Sequence, residues 1–79
     1  MTAMPDQNID QIVSAGIRDQ MDRQDISQRE LAARIGWAQS QLSKRLTGRV
    51  PFRSSEIERI ARALDTPLDQ LMTPRALAG

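Results

Sequence analysis

Apolar residues recur at every fourth position across the first third of the chain, at Ile9, Val13, Ile17 and Met21, with Ile12 and Gly16 beside them. That spacing places them on one face of a helix. Asn8, with Gln11 three residues on, is placed to cap it. The pattern fades near Gln24, and Ile26 is expected to drop back onto the core from a loop. Ser27-Gln28-Arg29-Glu30 has the spacing of a capping box, in which the serine hydroxyl and the glutamate carboxylate satisfy each other's free N–H groups. It opens a second helix with Leu31, Ala32 and Ile35 as its apolar stripe and Gly36 as its stop. Two turns are too short to stand alone, so packing must hold them. After Gly36-Trp37-Ala38 a third helix runs from Gln39 to Leu46, and only Leu42 and Leu46 in it are aliphatic. Gly48 to Arg53, broken by Gly48 and Pro51, reads as a loop. Ser54 or Ser55 is expected to cap a fourth helix, with Ser55-Glu56-Ile57-Glu58 as a second capping box and Ile57, Ile60, Ala61 and Leu64 as its buried face. Thr66-Pro67 restarts the chain as a short fifth helix with proline at its first position. Leu68, Leu71 and Met72 are expected to close the core, and Thr73-Pro74 to end the helix.

No strand alternation, internal repeat or low-complexity tract interrupts this pattern. The expectation is an all-α, compact five-helix domain over 8–72, preceded by an arm over 1–7 and followed by a short mobile tail over 73–79. With 79 residues, 39% hydrophobic and 27% charged, the chain suits one small globular domain with a modest core. It has no cysteine and no histidine, which excludes disulfides, the usual zinc ligand sets and histidine-based catalytic triads. No enzyme, metal, cofactor or small-molecule ligand is expected. No apolar run is long enough to span a bilayer and no signal peptide opens the chain, so no membrane partner is expected and the location should be the bacterial cytoplasm.

The net charge of +1 conceals a strong asymmetry. Residues 1–26 carry five acids and two bases, residues 27–53 six bases and one acid, and residues 54–79 four acids and three bases. A basic island between acidic flanks suits a polyanion-binding face. The island also holds two short helices joined by a tight turn, the second polar and basic, which is the helix-turn-helix pattern. Ala32 is small where the two helices must approach, Gly36 stands in the turn, and Leu31, Ile35, Trp37 and Leu42 fill the apolar places. One place departs: Arg45 stands where an apolar residue is usual, with Leu46 left to take over its packing role.

Ser27 to Gly36, then Leu42-Ser43-Lys44-Arg45-Leu46-Thr47-Gly48, then Ile57 to Leu64 resemble the lambda-repressor-like (Cro/Xre) helix-turn-helix family, in the form found among actinobacterial and actinophage regulators. The resemblance covers about residues 9–72. It implies a lambda-repressor-like fold with helices 2 and 3 as the helix-turn-helix, and sequence-specific binding of double-stranded operator DNA, usually as a homodimer. Ala38 departs from the serine or threonine cap common in the family, which should cost roughly 1 kcal/mol of helix stability.

A major groove admits one helix, and side chains on its exposed face near the N-terminus read the bases. With Leu42 and Leu46 turned inward, Gln39, Ser40, Ser43, Lys44 and Thr47 are left outward, and the family resemblance implies Gln39, Ser40 and Lys44, with Ser43 beside them, as the base-reading residues. Gln39 suits adenine N6/N7, and Lys44 suits guanine O6/N7. Gln28, at the positive end of the second helix, is the expected phosphate contact by resemblance, together with Gln41, Arg45, Thr47, Arg49 and Arg53. The blander alternatives are a solvated first turn for Gln39 and Ser40, a solubilising charge for Lys44, and ion pairs with Glu56 or Glu58 for Arg49 and Arg53. Trp37 and Phe52 read as core first.

The role expected from this is a transcriptional regulator of phage or prophage repressor type. The chain ends just past the fifth helix, which favours a Cro-like or minimal design without a ligand sensor. The competing roles are an antitoxin that also holds a toxin, and a protein-interaction module that has lost DNA binding. Ala76-Leu77-Ala78-Gly79 resembles the small apolar tails read by bacterial proteases, against the simpler reading of a frayed end.

Overall fold

A computed structural model describes residues 9–72. The arm over 1–7, the Asn8 cap, the Thr73-Pro74 stop, the tail and its protease-signal reading lie outside the described residues. Five helices follow in order: α1 Ile9–Gln24, α2 Gln28–Ile35, α3 Gln39–Leu46, α4 Ser54–Ala63 and α5 Leu68–Leu71. α2 packs against α3 and α4, and α1 packs against α4 and α5. Val13 and Ile17 of α1, Leu31 of α2, Leu42 of α3, Ile60 and Leu64 at α4, and Leu71 of α5 are wholly buried and meet in one core. Phe52 closes it from the α3–α4 loop, and Ile26 folds back onto it from the α1–α2 loop.

The corner between α2 and α3 is built as the sequence implies. Ala32 is 2% exposed and Gly36 takes φ 77°, a left-handed conformation that glycine adopts without steric cost. The Trp37 N–H then bonds the Ala32 carbonyl at 2.9 Å and the Gly36 N–H the Ala33 carbonyl at 3.3 Å, a Schellman closure. α1, α3 and α4 end in the same paired bonds, with Asp25, Gly48 and Asp65 as the positive-φ residues. At the start of α2, Ser27 and Glu30 form the full capping box, with Glu30 N–H to Ser27 Oγ at 3.1 Å and Ser27 N–H to Glu30 Oε1 at 3.3 Å.

Three local expectations are corrected. α4 is not capped by Ser54 or Ser55; it starts at Ser54 with Arg53 as the N-cap. The reason is Glu56, which stands three residues after Arg53 and accepts its N–H at 2.9 Å, so the helix begins where that carboxylate can answer. Pro67 is the N-cap of α5 rather than its first helical residue, and its carbonyl accepts the Leu71 N–H at 3.1 Å. Leu68 does not close the core and is 43% exposed. It opens a one-turn helix at the rim of the body, where only Leu71 faces inward.

Candidate nucleic-acid interface

α3 is an eight-residue helix with no aliphatic residue outside Leu42 and Leu46, which are 0% and 5% exposed. Burial of these two residues fixes its rotation. Gln39, Ser40 and Lys44 are consequently exposed, and none of their side chains has a hydrogen-bond or ion-pair partner among the described residues. Ser43 is half-buried, and with Lys44, Thr47 and Arg49 it lines one shallow recess along the C-terminal half of the helix. Lys44 and Arg49 thus belong to one continuous surface. Gln28 is the first residue of α2, half-buried, in a recess with Arg18, Met21, Asp22 and Ile26.

The remaining expected phosphate contacts divide into two groups. Arg49 and Arg53 are exposed and pair with neither Glu56 nor Glu58. Gln41, Thr47 and Arg45, by contrast, have bonds inside the protein. Gln41 Oε1 accepts the Ala38 N–H at 2.9 Å, supplying half a capping box where Ala38 has no side-chain oxygen. Thr47 Oγ1 reaches the carbonyls of Ser43 at 2.9 Å and Lys44 at 3.2 Å, so its single hydroxyl proton is spent on the helix end. Arg45 meets Glu56 side-on, Nε to Oε1 at 3.1 Å and Nη2 to Oε2 at 3.2 Å. Its Nη1 donates to the Gln41 carbonyl at 3.0 Å, and its guanidinium carbon lies 4.5 Å from the centroid of the Trp37 ring. The apolar place that Arg45 occupies is thus filled by a charge that folds back against the protein, while Leu46 packs in the core.

Several residues that hold this surface in place carried no signal in the sequence. Asp10 Oδ1 accepts the Phe52 N–H at 3.0 Å, and Glu56 takes the next N–H, that of Arg53, so two carboxylates from different helices secure consecutive residues of the α3–α4 loop. Burial pushes the Glu56 carboxyl up, but the Arg45 hydrogen bonds, the Arg53 N–H and the charges of both arginines outweigh it, and its pKa falls below the ordinary glutamate value. Arg18 Nη2 donates to the Leu46 carbonyl at 3.2 Å and Ser14 Oγ to the Arg45 carbonyl at 3.5 Å, so α1 satisfies the free carbonyl end of α3. The Asp10, Ser14 and Arg18 contacts span 28 or more residues of sequence, beyond any local pattern.

What the arrangement can do is set by its contents. A rotationally fixed helix presents amide, hydroxyl and ammonium groups outward beside two exposed arginines, and such groups hydrogen-bond base edges and phosphates. Among the described residues there is no cluster of three metal-ligating side chains, and no helix is long and apolar enough to cross a membrane.

The comparisons with known proteins agree with this geometry. No curated protein matches the chain. Among solved structures the chain is similar to a hypothetical transcription factor, NHTF, from Neisseria, at 27% identity and a TM-score of 0.80, covering 96% of this chain and 88% of that one. The helix-turn-helix family profile HTH_3 matches residues 17–71, which includes α2, α3, the loop and α4. The chain therefore belongs to the helix-turn-helix family of non-enzymatic, DNA-binding transcriptional regulators.

Proposed function

We propose that the protein is a repressor of phage or prophage type that occupies an operator as a homodimer, with α3 of each copy in the major groove. Gln39, Ser40, Ser43 and Lys44 read base edges, while Gln28, Arg49 and Arg53 hold phosphates and set the register. The observation that carries this reading is the exposure of Gln39, Ser40 and Lys44 without internal partners, on a helix whose only aliphatic residues are buried. Gln41 and Thr47 take part only through groups not engaged at the helix ends, and Arg45 is left out of the contact set.

Selection of bound duplexes from a random pool tests the reading. The expected result is a palindromic consensus with half-sites about one helical turn apart, as two-fold symmetry of a dimer requires. Enrichment of a single non-palindromic site would remove the dimer, and no enrichment would remove sequence reading. Repression is tested by placing the selected site over a reporter promoter; unchanged or increased transcription when the protein is supplied refutes it.

A further inference from the structure

Arg45 and Glu56 form the only ion pair between different helices among the described residues, and their side chains are 16% and 17% exposed. All three guanidinium nitrogens are engaged inside the protein, on Glu56 and on the Gln41 carbonyl, and the Trp37 ring lies against the guanidinium carbon. The same Glu56 oxygen that meets Arg45 Nε also accepts the Arg53 N–H. One charge pair therefore joins the α2–α3 turn through Trp37, the groove-facing helix through Arg45, and the start of α4 through Glu56 and Arg53.

The geometry points to Arg45 as a positioning residue for sequence discrimination. Through Trp37 and Glu56 it fixes the angle between α3 and the loop that carries Arg49 and Arg53, so that base-reading and phosphate-holding groups engage one duplex in a single register. This rests on the DNA-reading role proposed above. Hydrogen bonds to base edges tolerate little displacement, whereas attraction to phosphates is long-ranged and forgiving. Releasing the clamp should therefore cost selective binding and spare non-selective binding. A phosphate-contacting Arg45 makes the opposite demand, because its loss would weaken every duplex alike.

The test uses a duplex selected by the wild-type protein from a random pool and a scrambled duplex of the same composition. Arg45→Met, Arg45→Lys and Glu56→Gln are titrated against both at several salt concentrations, below each variant's melting temperature. Arg45→Met is expected to lose about tenfold or more on the selected duplex and little on the scrambled one, with the salt slope unchanged. Arg45→Lys keeps the charge but not the fork, and it should lose selectivity in the same way. Glu56→Gln should weaken selected binding even though it removes a negative charge near a polyanion. Equal loss on both duplexes for Arg45→Met with a slope reduced by about one, full activity of Arg45→Lys, or tighter binding by Glu56→Gln would each overturn the assignment.

A DNA-free measurement accompanies these. Trp37 is the only tryptophan, so its emission should shift in Arg45→Met as the guanidinium leaves the ring, and an unchanged spectrum would refute the clamp. A wild-type protein that enriches no duplex overturns the DNA-reading role and the selectivity inference with it. A shifted spectrum would then identify the clamp as architecture alone.

Discussion

Gly16→Ala sets helix propensity against packing, and the two predict opposite signs. Gly16 lies in the middle of α1, where alanine is ordinarily preferred by about 1 kcal/mol. An added Cβ, however, would overlap the carbonyl oxygen of Leu71 and stand 2.9 Å from its carbonyl carbon and 3.4 Å from its Cα. These are backbone atoms, so no rotamer change relieves the overlap, and α5 must move. α5 has four residues and one wholly buried side chain, Leu71. Loss of that burial costs about 1.5–3 kcal/mol, in the same range as the 1–3 kcal/mol typical of overpacked cores. After the propensity gain, a net destabilisation of about 0.5–2 kcal/mol remains. For a domain of this size that lowers Tm by roughly 2–16 °C. Urea and thermal unfolding followed by far-UV circular dichroism measure it directly. The double variant with Leu71→Ala should show a smaller added cost for Gly16→Ala, because α5 is already loosened. A Tm equal to or above wild type for Gly16→Ala would refute the close approach of α1 and α5.

Other predictions concern the helix ends, the ion pair and the interface. Asp25→Gly and Asp65→Gly, at φ 57° and 51°, should each stabilise the domain by about 0.5–1 kcal/mol in chemical denaturation, since glycine carries no left-handed penalty; destabilisation would show that the aspartate side chains hold those turns. Glu56 has a lowered folded pKa, so its contribution is present above the ordinary glutamate value and is lost as pH falls through the folded one. The Tm gap between wild type and Glu56→Gln should therefore be open at neutral pH and narrow only in the acid range; a constant gap down to pH 3 would contradict this. Lys44→Ala should cost about 1–3 kcal/mol on a selected duplex and less on random DNA, whereas Arg49→Ala should weaken both and reduce the salt slope by about one. Equal losses for Lys44→Ala on the two would take it off the base-reading set.

The amino-acid sequence alone determined which segments become helices and which face of each is buried. Periodicity did this for α1 and α4, the Ser27–Glu30 box for the start of α2, and Gly36 for its end, because helix propensity, capping and amphipathicity act between residues at most four or five apart. The exposed face of α3 was legible for the same reason: two leucines four residues apart leave one polar flank. Tertiary structure decided what those short-range rules cannot reach. It placed Glu56 against Arg45, which removed Arg45 from the free cations, whereas the start of α4 at Arg53 rests on a carboxylate only three residues on, a local signal in Arg53-Ser54-Ser55-Glu56 that the serines masked. It brought Asp10 to Phe52 and Arg18 to the end of α3, left Leu68 at a rim, and set Gly16 against the backbone of α5. Each of these depends on residues brought together by collapse around a common core, and a charge or glycine in sequence does not specify which distant backbone group it will meet.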